Sequence, residues 1–301
     1  MLIQQLVNGL TLGAIYSLIA LGYTLVYGIL AMINFAHSEV LMLGAFFALG
    51  VSVLMPSVFA SSGGAGLVGM FAAAMLGAGL LNVIIERFAY RPLRHISRLA
   101  PLISAIGVSI VLQNAVFLWV SNQSVAFPQP ISIRQIPIGG GATVSSLQLV
   151  ILGAALGLMG LLHFWVEHTK AGKAMRACAD DLQTAALMGI NPDMVIATTF
   201  FVGGALGGAA GVLYGMNYGS IKYSLGFLPG AKAFTAAVLG GIGNIRGAVL
   251  GGFILGFLEV LASGYIPNGA EWRDVVAFTV LIVVLLIRPS GLLGEKLAEK
   301  V

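Results

Sequence analysis

Charge and cysteine are what this chain has least of. Only 9% of its 301 residues are Asp, Glu, Lys or Arg, and Cys178 is its single cysteine. One thiol excludes an intrachain disulfide and a multi-cysteine metal site. So little charge cannot coat a soluble domain of this length. A nucleotide-binding P-loop is missing too: Gly172-Lys173-Ala174 lacks the upstream glycine loop and the following Ser or Thr. Ser263-Gly264 sits in an apolar run with no histidine after it, and His163 and His168 fall at or beyond a membrane edge, so a serine hydrolase is set aside. The net charge of +4 resides mainly in connecting loops and carries no nucleic-acid signature.

Apolar residues fill the space that charge leaves. They make up 58% of the chain, and mean hydropathy is +0.99. Apolar runs of about 17–25 residues recur, the length that spans roughly 30 Å of hydrocarbon. They are continuous and do not alternate with period two, which excludes a transmembrane barrel. The expected fold is all-α: a polytopic transmembrane helical bundle of about 8–10 spans, some of them short or broken, forming a single domain over 1–301. Nine hydrophobic segments are legible, near 6–30, 39–55, 66–86, 99–120, 146–166, 194–216, 228–243, 247–264 and 273–288. The N-terminus has no basic n-region and its apolar run is too long for a signal peptide, so it is expected to stay as the first span.

Orientation follows from the basic residues. With the N-terminus outside, one side holds Arg87, Arg91, Arg94, Arg98, Lys170, Lys173, Arg176, Arg246, Arg288, Lys296 and Lys300, eleven of the 15 Lys and Arg. The other side holds Arg134, Lys222, Lys232 and Arg273. The positive-inside rule then predicts N-out and C-in. Stretch 121–145 is the long outer loop; its prolines, its glycines and the alternation of Ile131, Ile133, Ile136 and Ile138 predict a short hairpin or cap. Gly203, Gly207, Gly211, Gly215 and Gly219 recur every four residues, and Gly243, Gly247 and Gly251 repeat the spacing. Such faces let helix backbones approach closely, within one subunit or between two.

Polar groups inside these runs are candidate path or gate residues. Asn34, His37, Ser38 and Glu39 form the stretch NFAHSE between two apolar segments, and Glu259 lies inside another. An unpartnered carboxylate costs about 2.5–3.5 kcal/mol at mid-bilayer, so both glutamates are expected to face protein or water, with His37 and Arg246 as possible partners. Segments 39–55, 228–243 and 247–264 are short and interrupted by NFAHSE and GGIGNIRG; paired broken segments point to a translocation path. Between 170 and 192, Met175, Cys178, Leu182, Ala185 and Gly189 make a small apolar face, and Arg176, Asp180, Gln183 and Thr184 a polar one. An amphipathic helix of that kind suits a groove on another protein. Asn191-Pro192 is the start signal of the next span.

NGLTLGAIYSLIALGYTLVYGILAMINFAHSEVLMLGA, the 170–192 segment and GAKAFTAAVLGGIGNIRGAVLGG together resemble the permease subunit of high-affinity branched-chain amino acid importers of the ATP-binding-cassette class. That resemblance implies a multi-pass protein of the bacterial inner membrane with no cofactor and no ATPase site of its own. Its implied partners are a second, homologous permease, two cytoplasmic ATPase subunits and a periplasmic substrate-binding protein delivering leucine, isoleucine or valine. It also implies that Ala185, Ala186, Leu187, Met188 and Gly189 belong to a coupling helix that docks in the ATPase, with Met175, Arg176 and Leu182 on the same segment. The family motif usually carries glycine where Ser38 stands, which puts a sharp turn at that residue in question. Urea and short-amide permeases share the motif. A stand-alone proton-coupled transporter, with His37, Glu39 and Glu259 as a relay, is the alternative of a different class.

Overall fold

The computed structural model describes residues 2–57, 63–94, 96, 99–139 and 141–294. Arg98, Lys296 and Lys300, counted above on the basic side, lie outside them. Lipid offers backbone groups no hydrogen bonds, so each apolar run closes its own ladder as a helix. In chain order these are α1 (Leu2–Leu30), α2 (His37–Leu54), α3 (Gly63–Ile85, continued by a π turn Glu86–Tyr90), α4 (Leu99–Trp119), α5 (Ser146–His168), α6 (Lys170–Asp180), α7 (Leu182–Leu187), α8 (Pro192–Tyr218), α9 (Phe227–Gly240), α10 (Ile245–Tyr265) and α11 (Gly269–Ile287). Among the described residues, seven helices are long and apolar enough to cross a membrane: α1, α2, α3 with its π turn, α4, α5, α8 and α10. The two remaining predicted segments are α9, only 14 residues long, and α11, whose first turns carry Glu271, Arg273 and Asp274.

Local chemistry sets the helix ends. Ser145 and Gln148 form a reciprocal capping box at the start of α5. Asn191 accepts from the Met194 amide with Pro192 at the first helical position, as expected. Segment 247–264 was expected to be short, yet α10 has 21 residues, because Asn244 accepts from the Gly247 amide and starts the helix at once. The outer loop does contain a hairpin, β2 (Gln135–Gly139) against β3 (Ala142–Ser145). A second antiparallel pair joins β1 (Val125–Ala126) to β4 (Ser220–Ile221) and fastens the loop to the end of α8.

Two halves of the chain share one plan. A long buried helix, a break, a short helix and two further helices occur as α1–α4 and again as α8–α11. α1 packs antiparallel on α10, as Gly9 meets Phe257 and Gly13 meets Phe253. α8 packs antiparallel on α3 in the same way, Gly204 and Gly208 resting on Ala78 and Ala74. The short helices are exchanged: α2 runs parallel to α8, and α9 parallel to α1. This is the arrangement of inverted-topology repeats.

The glycine stripe of α8 is spent inside the subunit. Gly203 faces Gly22, Gly207 faces His37, Gly211 faces the Leu41 carbonyl and Gly215 faces Phe127. α1 is apolar all round and buried along most of its length, as a central helix must be. α4 and α5 lie outside with exposed faces of Ile103, Val111, Leu118, Leu149, Leu156 and Phe164.

Candidate functional site

The NFAHSE stretch forms a buried hub. After α1 the chain turns at Ala31, whose φ is 50°, and re-enters the bundle before α2 begins at His37. Asn34 organises the re-entry: its carbonyl accepts from the Ala36 amide and the Tyr90 hydroxyl, and its amide donates to Asn82 Oδ1 at 3.1 Å. Asn82 donates onward to the Phe200 carbonyl at 2.6 Å, so one side-chain chain ties the break to α3 and α8. His37 is wholly buried edge-on to Tyr23, in a space opened by Gly22 and Gly207, and among the described residues neither ring nitrogen completes a well-formed hydrogen bond.

Ser38 needs no positive φ, because the turn is made at Ala31 and residue 38 lies within α2. Its hydroxyl donates to the Phe35 carbonyl at 3.0 Å. Its side chain is received by Gly230 and its carbonyl by Gly226, so the start of α9 abuts the start of α2. Glu39 follows in the first turn of α2, where the helix dipole favours a carboxylate. Oε1 accepts from Ser109 at 3.3 Å, and among the described residues the buried Oε2 has no hydrogen-bond partner.

The expected partners of the two glutamates are corrected. His37 and Glu39 stand two residues apart on one helix and so do not face each other. Arg246 opens α10, about 20 Å along the helix from Glu259. Glu259 pairs instead with Lys232 Nζ at 2.8 Å and accepts from the Tyr16 hydroxyl at 2.8 Å. Lys232 also reaches Asp274 at 2.7 Å, so the network joins α1, α9, α10 and α11. Lys232 was counted with the outer side, inside segment 228–243; the structure buries it in α9, where its ammonium is neutralised twice. Lys232, Asp274 and Asn82 are members that sequence reasoning missed. A lysine inside a glycine-alanine helix was the available signal for the first.

At the opposite end of the bundle the basic residues gather. Arg91 and Arg94, after the π turn of α3, both pair with Asp193 in the first turn of α8. Stretch 170–192 is two helices, not one, because Asp181 interrupts it and caps α7 by accepting from the Gln183 and Thr184 amides. Met175 and Cys178 turn inward onto the bundle, and burial raises the Cys178 thiol above its usual pKa. Arg176 donates to the Val166 carbonyl and pairs with Glu167. Leu182 is half-buried and Ala185 buried, while Ala186 is exposed. Leu187 and Met188 project outward at 87% and 79% exposure, and Gly189, at φ +83°, ends the projection. Ala186, Leu187 and Met188 are therefore the outward part of this segment, while Met175 packs on the bundle.

A bundle of inverted repeats whose short helices meet at a buried polar hub defines a membrane transport subunit. A family described as "Branched-chain amino acid transport system / permease component" matches residues 5–285. The high-affinity branched-chain amino acid transport system permease protein BraD of Pseudomonas aeruginosa is 47% identical, over 99% of this chain and 98% of its own length. LivH of Escherichia coli K12, with the same description, is 46% identical over 99% and 97%. A probable branched-chain amino acid transport permease of Methanocaldococcus jannaschii is 28% identical over 92% and 88%. The chain belongs to this family of ATP-binding-cassette permease components.

Proposed function

We propose that this chain is the membrane-spanning subunit of an importer that carries leucine, isoleucine and valine across the bacterial inner membrane. Near-full-length similarity to BraD and LivH is the observation that carries the reading. Its partners are a second, homologous permease, two cytoplasmic ATPases and a periplasmic binding protein. The whole of 1–301 acts as one transmembrane domain, with 170–192 as its coupling segment and the basic end in the cytoplasm.

In this mechanism ATPase closure presses on the Leu187–Met188 projection. α6 carries the movement inward, because Met175 rests on the bundle and Arg176 is tied to the end of α5. The moving seam is the meeting of α2 and α9, where Ser38 and Glu39 face the start of α9, with Asn34 and His37 beside them on the α3 and α8 side, and Lys232–Glu259 holds α9 to α10. The two short helices change places relative to the long ones, opening the path first to one side and then to the other. The test is leucine uptake by vesicles containing the whole assembly. Uptake is expected only with hydrolysable ATP and the loaded binding protein; uptake that persists without hydrolysis defeats the reading.

A further inference from the structure

A cavity of about 210 Å³ opens between the outer ends of α1, α5, α8, α10 and α11. Its walls are polar in a membrane protein, and they hold charges of both signs, Arg273 and Glu259. Arg273 is half-buried and points two donors, Nε and Nη2, at one hydroxyl, that of Ser263, at 3.1 and 2.8 Å. Among the described residues no carboxylate forms an ion pair with it. A guanidinium has five donors in a planar fork that fits a carboxylate, and one serine hydroxyl uses few of them.

Glu259 stands on the same cavity with Lys232 and Tyr16 on its two oxygens. A carboxylate has about four lone-pair positions, so it can still accept from an ammonium. The Asn8 carbonyl oxygen accepts from Gln148 Nε2 at 3.0 Å and from Gln4 Nε2 at 3.3 Å, its amide nitrogen has no hydrogen-bond acceptor among the described residues, and Asn217 is exposed nearby on the same wall. Leu12 and Val260 supply the aliphatic part of the lining.

We infer that this cavity is a receiving site for a zwitterionic aliphatic amino acid, with Arg273 taking the carboxylate, Glu259 facing the ammonium, and Leu12 and Val260 against the side chain. It deepens the importer reading and rests on it. The permease then takes part in substrate choice and is not a passive conduit beneath a binding protein. Ser263 keeps the guanidinium oriented while the site is empty and yields when a carboxylate arrives.

The experiment measures binding of radiolabelled L-leucine to the assembled importer in lipid nanodiscs, without binding protein or ATP. Saturable binding is expected, displaced by isoleucine and valine but not by leucinamide or 4-methylpentanoate, each of which lacks one charge. Arg273→Gln is expected to weaken binding to this chain about tenfold or more, since it removes a charge-assisted pair. Arg273→Lys retains part of it, because charge persists without the fork. If Arg273→Gln fails to fold, Asn217→Leu at the exposed end of α8 decides by the same assay. Leucine affinity unchanged in the folded variant overturns the inference. So does wild-type assembly that imports leucine yet binds none, and that result leaves the importer reading standing. Absence of leucine import altogether overturns that reading, and this inference with it.

Discussion

Lys232 on α9 and Glu259 on α10 meet at 2.8 Å inside the bundle, and each is more than nine-tenths buried. Tyr16 and Asp274 complete the network from α1 and α11. Four helices are thereby fixed around one neutralised pair, in a place where either charge alone would be costly.

Breaking that pair is expected to destabilise more than deleting it. Glu259→Leu strands the ammonium with Asp274 alone and costs about 3 kcal/mol, the low end for a broken buried pair. Adding Lys232→Met removes the stranded charge and restores part of the loss. Thermal unfolding of the purified assembly orders the three proteins; a double variant no better than Glu259→Leu contradicts the account.

The contact between α2 and α9 predicts a coupled pair. Gly230→Ala sets a methyl group against the Ser38 side chain and should destabilise by about 1–3 kcal/mol through overpacking. Ser38→Gly alone should change little beyond the cost of about 1 kcal/mol for glycine in a helix. Together the two should be less harmful than their sum, which a double-mutant cycle on melting temperature measures.

Glycines of one spacing should behave oppositely according to what faces them. A Cβ at Gly208 meets the backbone carbonyl of Ala74, which cannot rotate away. Gly208→Ala should lower stability and import. Gly153 on the outer helix α5 faces open space, so Gly153→Ala should be neutral or stabilising by up to about 1 kcal/mol, as measured by unfolding in lipid nanodiscs.

Cys178 is buried, and burial raises its pKa by disfavouring the thiolate. Since the thiolate is the reactive form, maleimide labelling near neutral pH should be about tenfold slower than for an exposed thiol and should recover on denaturation. Raising pH should speed labelling only above the range where an ordinary thiol, with a pKa near 8.5, already reacts. Labelling as fast as a free thiol would show the site to be open.

The outward pair on α7 separates docking from folding. Met188→Asp, at an exposed position, should leave the permease folded and prevent the ATPase from copurifying. Met175→Ala should lower thermal stability by about 2–5 kcal/mol, because that side chain packs on the bundle. The copurified ATPase and the melting temperature report the two effects independently.

The nine apolar segments were legible because hydrocarbon leaves the backbone no alternative to helix, and because the cap at Asn191 is written locally; the cap at Asn244, which lengthens α10, was not read. The expectation of one amphipathic helix over 170–192 missed Asp181, whose cap divides it, so that α6 lays Met175 on the bundle while α7 turns Leu187 and Met188 outward. The partners of Glu259 were not legible. Tyr16 and Lys232 lie 243 and 27 positions away in the chain, Asp274 joins only through Lys232, and only packing of four helices brings them together.

Composition and periodicity alone determined that this is a helical membrane protein, and the quoted motifs carried its family. Tertiary structure decided the rest: that the two halves are inverted copies of one plan, that the glycine stripes serve contacts within the subunit, and that Ser38 fits because Gly226 and Gly230 make room for it. The reason is physical. Backbone hydrogen bonding and lipid act on each segment separately and can be read along the chain. The pairing of buried charges and the close approach of helix backbones depend on which segments meet, which no single stretch encodes.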